Sequence, residues 1–231
     1  MVSDDSIDRG AGRDEEFRLR LQELKAQGSA LLVVGDVPWD VWVDACEQLL
    51  GEGDELPRQR LLAFTNGSRS IRSRLADHHT GGLGSTTAIT TGLARSASAR
   101  APVHPEVPVI DLEYDSLTEL GGAISGWIQE TDARHGPLSP GELRLCVDAL
   151  GPLLDVHGEA AVFDFLTLTA ARARAADGMA HYHLSVDRHT EVVADLLPTV
   201  DALIELGIGA DGPRQRWVLD GGDVESPWLP L

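Results

Sequence analysis

The chain has 231 residues, 42% of them hydrophobic, which suits one large domain with a real core. Its 37 acidic and 19 basic residues leave a formal charge of −18, and Lys25 is the sole lysine, so the clustered cations that bind nucleic acid are scarce. No apolar stretch approaches the roughly 20 residues that span a bilayer, which argues against a membrane helix.

Residues 1–13 are acidic and polar; they read as an unstructured arm and do not resemble a signal peptide. A helix is expected over 15–27, with Phe17, Leu21 and Leu24 on one face and Gly28 at its end. Residues 30–34 form a first strand, apolar on both faces, as a parallel strand covered on both sides requires. Gly35 breaks it, residues 36–40 make a polar turn containing Pro38, and 41–50 form a helix. A second strand over 60–64 ends at the turn dipeptide Asn66-Gly67. A short helix is expected over 70–77, a weak strand over 88–90, an irregular segment with Pro102 and Pro105 over 94–106, and a strand over 107–111.

Ser116 and Glu119 have the spacing of a capping box. Leu117, Leu120, Ile124, Trp127 and Ile128 then keep the helical period until Gly136-Pro137. A strand over 143–147 finishes at Asp148. Helices over 150–155 and 159–175, a strand over 179–186 and a short helix over 190–197 follow. Late strands are expected over 202–206 and 214–219, and Trp228, Leu229 and Leu231 equip the tail to dock on the body or on a partner. Alternating strands and helices make an α/β fold with a mostly parallel central sheet flanked by helices. The expected division is an arm over 1–13, one domain over 14–220 and a tail over 221–231.

Several side-chain groups carry possible chemistry. His181 and His183 alternate on a strand and point to one face. With His189 and Asp187 they offer a zinc site with an open position, or a small metal-dependent enzyme; packing on a buried strand is the competing and weightier reading. Cys46 and Cys146 sit in apolar runs and read as small buried hydrophobes; with no CxxC pair, neither a thiol-redox site nor a cysteine-based zinc site is indicated. Asp111, Glu113 and Asp115 cluster at a strand end, where α/β sheets bind ligands, although so acidic a chain clusters carboxylates by chance. Arg69, Arg72 and Arg74 read as a solvated helix surface, and HHTGGLGS, from His78, as a surface loop. Ser85, Thr86 and Thr87 lack the GxSxG elbow that would activate a hydroxyl.

The order of GSALLVVGD, LRLCVDAL, GMAHYHLSV and VDALIEL followed by RQRWVL resembles the RecA/KaiC-like branch of the P-loop ATPase fold, over about residues 17–219. It is similar in particular to haloarchaeal KaiC-like proteins of unassigned function. Abundant carboxylates with almost no lysine fit that source, where about 1 M salt shortens the Debye length to roughly 3 Å and acidity keeps the surface hydrated. The resemblance implies a three-layer sandwich, a phosphate loop at Gly35 and a Walker B-like Asp148; a cytoplasmic protein is expected from the N-terminus unlike a signal peptide and the lack of a membrane-length apolar stretch. A phosphate loop reads GxxxxGK[ST], its glycines admitting phosphate, its lysine reaching the outer phosphates and its hydroxyl binding Mg²⁺. Laid on Gly35, the second glycine falls on Asp40, the lysine on Val41 and the hydroxyl on Trp42.

A degenerate loop is therefore expected over Gly35, Asp36, Trp39, Asp40, Val41 and Trp42. Asp40 is expected to cap the helix and repel phosphate, and Trp39 and Trp42 to fill the nucleotide's space. The function this implies is a non-catalytic domain without a cofactor, acting through a protein partner or self-association in regulation or signalling. Residues 94–106 and 228–231 are the candidate contacts. The alternative is a divergent ATP-binding protein or ATPase that uses Asp148 for Mg²⁺.

Overall fold

The computed structural model describes residues 5–51, 57–65, 84–92, 107–113 and 115–231, with side chains from residue 15 onward. The expectations for 70–77, 94–106, His78 and Arg69, Arg72 and Arg74 lie outside the described residues. Helices are α1 (Asp5–Gln27), α2 (Trp39–Leu50), α3 (Leu117–His135), α4 (Gly151–His157), α5 (Glu159–Ala175) and α6 (Glu191–Leu196). Strands are β1 (Ser29–Val34), β2 (Arg58–Phe64), β3 (Gly84–Thr90), β4 (Val109–Asp111), β5 (Leu143–Val147), β6 (Met179–Leu184), β7 (Ala202–Gly209), β8 (Gly212–Leu219), β9 (Val224–Glu225) and β10 (Leu229–Pro230).

The strands form one sheet in the order β10-β8-β7-β1-β6-β5-β2-β3-β4, with β9 also on β8. From β7 to β4 every pairing is parallel; β8, β9 and β10 add antiparallel strands at one side. β1, β2 and β6 are buried along their whole length, because helices cover both faces. The expected mostly parallel α/β sheet is thus borne out.

Alternation along each strand sends neighbouring side chains to opposite faces. Ala30, Leu32, Val34, Ala180, Tyr182 and Leu184 face α3, α4, α5 and α6. There the Tyr182 hydroxyl lies 2.8 Å from Thr169 Oγ1, and burial pushes its phenol pKa up. Leu31, Val33, Met179 and Ile204 face the other way, under Trp42, Ala45 and Leu49 of α2 and Phe17 and Leu24 of α1. A further cluster on that face joins Cys46 and Leu50 to Leu62, Phe64, Ala88 and Cys146.

Two helix starts differ from expectation, and the tail takes one of its two expected places. α1 begins at Asp5, so its first turns cover residues expected to form an unstructured arm. α2 begins at Trp39, because Pro38 supplies a fixed φ of −56° just where a helix can start. The tail docks on the body: β10 pairs with β8, and Trp228 lies under Arg214 and Arg216, whose guanidinium carbons are 4.3 and 4.8 Å from its ring centroid. The Ser116 cap is present, its hydroxyl accepting from Glu119 N at 3.4 Å.

Candidate functional site

The β1–α2 turn emerges at the carboxyl end of β1, between β6 and β7, where open α/β sheets place their ligands. Gly35 sits at φ +150°, and its amide donates to Val186 O at 3.0 Å. A Cβ there would lie 2.7 Å from Leu206 O, so the glycine lets the β7 backbone press against the turn. Close strand packing therefore explains Gly35 without a phosphate.

The residues that follow correct two expectations. Asp40 does not cap α2: Pro38 is the N-cap, and no side-chain hydrogen bond caps the helix. Asp40 is instead an exposed carboxylate in the first turn, favoured by the helix dipole, and Asp36 is a second exposed carboxylate just before it. Val41 and Trp42, at the positions of the lysine and hydroxyl, turn into the core at 2% and 5% exposure. Trp42 thus packs beneath the helix, 5.2 Å from the His183 ring, rather than occupying the loop. Trp39 remains at the surface, 44% exposed.

Asp148 lies at the carboxyl end of β5, separated from β1 by β6. Its Oδ1 accepts from Thr65 N at 2.7 Å and from Thr65 Oγ1 at 3.0 Å. Ala149 O lies beside the same hydroxyl and shares its one proton with Asp148. The carboxylate is buried and clasps the segment after β2 to the segment after β5. In the acidic cluster at the end of β4, Asp111 accepts from Thr90 Oγ1, and Asp115 lies over Gly92.

His181 and His183 share one face of β6, as alternation predicts, with ring centroids 5.1 Å apart. His189 does not join them: it is exposed in the turn beyond, and its amide donates to Asp187 Oδ1. Two residues absent from that expected group stand beside the histidines instead. Cys146 is the register partner of His181 across β5 and β6. Cys46, on the inner stripe of α2, brings Sγ to 3.2 Å from Cys146 Sγ and 3.5 Å from His181 Nε2. Both cysteines are buried, as expected.

Two cavities, of about 190 and 400 Å³, open at the opposite, amino-terminal edge of the sheet. Lys25, Arg58 and Arg144 help to line the larger one. The arginines there serve backbone carbonyls: Arg58 donates to Gly141 O, and Arg144 to Leu49 O at the end of α2. Arg60 donates to Leu50 O and Gly51 O, also at that helix end. Cations at a helix carboxyl end oppose its dipole and satisfy its last carbonyls.

Among solved structures, the chain is similar to the KaiC-like protein PH0186 from the hyperthermophilic archaeon Pyrococcus horikoshii OT3. The likeness has a TM-score of 0.50 at 10% identity and covers 86% of this chain and 81% of that one. That likeness, with the sheet described above, shows a RecA/KaiC-like fold. No curated protein matches. Among the described residues, no helix is long and apolar enough to cross a membrane. A family model of unknown function covers residues 28–206, from the entry of β1 to β7, and the chain therefore belongs to the family DUF7504.

Proposed function

We propose that this RecA/KaiC-like domain does not grip a nucleotide and acts by binding a protein, in a regulatory or signalling role in a salt-rich cytoplasm. The observation that carries the reading is the β1–α2 turn. Val41 and Trp42 are committed to the core where a lysine and a hydroxyl would meet phosphate and Mg²⁺. Asp36 and Asp40 add negative charge at the helix start that would otherwise attract an anion. Asp148, the residue an ATPase reading needs for Mg²⁺, spends one carboxylate oxygen on Thr65.

The same edge supports protein contact. Trp39 is 44% exposed at the start of α2, and Ile208 is 52% exposed near the end of β7. Concentrated salt screens surface charge, so exposed apolar and aromatic anchors carry most of a contact there. The docked tail makes this edge a better candidate than residues 228–231.

Titrating ATP with Mg²⁺ into the protein in concentrated KCl tests the reading. No binding heat is expected. Micromolar affinity would overturn the reading and favour the ATP-binding alternative. Trp39→Ser is then expected to remove the partner that wild type captures from a high-salt lysate, or to shift self-association seen by sedimentation.

A further inference from the structure

We propose that Cys46, Cys146, His181 and His183 form a closed tetrahedral zinc site that pins α2 to the centre of the sheet. One ligand atom from each residue lies within 4.8 Å of all the others. The two sulfurs are 3.2 Å apart, and Cys46 Sγ is 3.5 Å from His181 Nε2. Zinc bonds of about 2.3 Å to sulfur and about 2.0–2.1 Å to nitrogen place tetrahedral ligands roughly 3.3–3.8 Å apart. The two sulfurs stand slightly inside that range and the widest separation, up to 4.8 Å, about 1 Å outside it, so side-chain rotations of up to about 1 Å bring the set to bonding geometry.

The scaffold fixes these groups from three elements. β5 and β6 hold Cys146 and His181 as direct neighbours, His183 follows two residues along the same face, and α2 closes over them with Cys46. All four are at most 3% exposed, which leaves no route for a substrate and makes the site structural. Trp42 shields the His183 side.

Charge selects the metal. Binding releases a proton from each thiol, and two thiolates with two neutral imidazoles exactly cancel a divalent cation. A neutral centre suits a site without water, whereas a monovalent copper would leave a buried negative charge. Magnesium and calcium prefer oxygen ligands, and four nitrogen and sulfur donors in a tetrahedral set suit zinc. The proposal stands apart from the protein-binding reading, because nothing in it depends on the β1–α2 turn.

The test uses the full chain, expressed without a histidine tag in zinc-supplemented medium and purified in concentrated KCl without chelator. Elemental analysis is expected to find about one zinc per chain. Refolding with cobalt(II) should give the visible bands of a tetrahedral ion and a thiolate-to-cobalt charge-transfer band. Cys46→Ser should weaken that band, and Cys146→Ser should do the same. If a variant does not fold, the wild-type spectrum decides alone. Zinc far below one equivalent together with no thiolate-to-cobalt band overturns the proposal, as does a Cys46–Cys146 disulfide in protein prepared anaerobically.

Discussion

Adding a single methyl group at Gly35 sets a bulky side-chain atom against the β7 backbone and forces a φ of +150° on a residue that resists it. Gly35→Ala should therefore cost about 1–3 kcal/mol, read as a lower denaturant midpoint, with no change in any nucleotide affinity. Asp148 makes a second distinction. If its work is to hold Thr65, Asp148→Asn keeps an acceptor oxygen and stays mild. Asp148→Ala leaves the Thr65 amide and hydroxyl without that acceptor and should cost about 1–3 kcal/mol in the same measurement. Residue roles were only partly legible in the sequence. The shared face of His181 and His183 follows from strand alternation, which is local. Their meeting with Cys46 and Cys146 is not local: it needs α2 laid over β5, a hundred residues further on. The sequence points to Asp40 as a cap because helix starts vary by a residue or two, and Pro38 sets this one earlier.

Elements at the β7 side are joined by charge rather than by apolar contact alone. Arg188, after β6, pairs with Glu205 of β7 at 3.0 Å and Glu225 of β9 at 2.8 Å. Arg216 of β8 reaches the same two carboxylates at 2.5 and 3.3 Å. The hydrogen bond from Arg188 is the main cause that holds the Glu225 carboxyl below its ordinary value. A depressed folded-state pKa contributes stability above the unfolded value, about 4.3, and loses it as pH falls through the folded value. Thermal stability should thus decline as acid is added below that point, and more gently in Glu225→Gln. Trp228→Ala should free β10 from β8, seen as faster amide exchange at Leu231 and Gln215 while β1 and β6 stay protected. A long buried strand such as β1 announces itself as an apolar run. β9 and β10 have two residues each, too few for any period, and exist because the tail folds back onto β8.

For the whole molecule, the arrangement of the sheet was readable and the occupants of its carboxyl edge were not. A chain 10% identical to a KaiC-like structure still shares its fold over 86% of its length, because burial pattern and strand order survive changes of residue. The net charge of −18 acts at this scale too. Raising KCl from about 0.1 M to about 1 M shortens the screening length from roughly 10 to roughly 3 Å. Self-repulsion between carboxylates weakens accordingly, so the melting temperature should rise steeply over that interval. A flat response would remove the case for adaptation to salt.

Pro230 closes β10, and its ring nitrogen carries no hydrogen to offer a neighbour. Together with β9 it screens the outer rim of β8, while β4 at the far rim is three residues long. Among the described residues, neither flank presents the long ladder of open amides and carbonyls on which a foreign strand could template itself. Lateral strand addition at these two rims is thereby disfavoured.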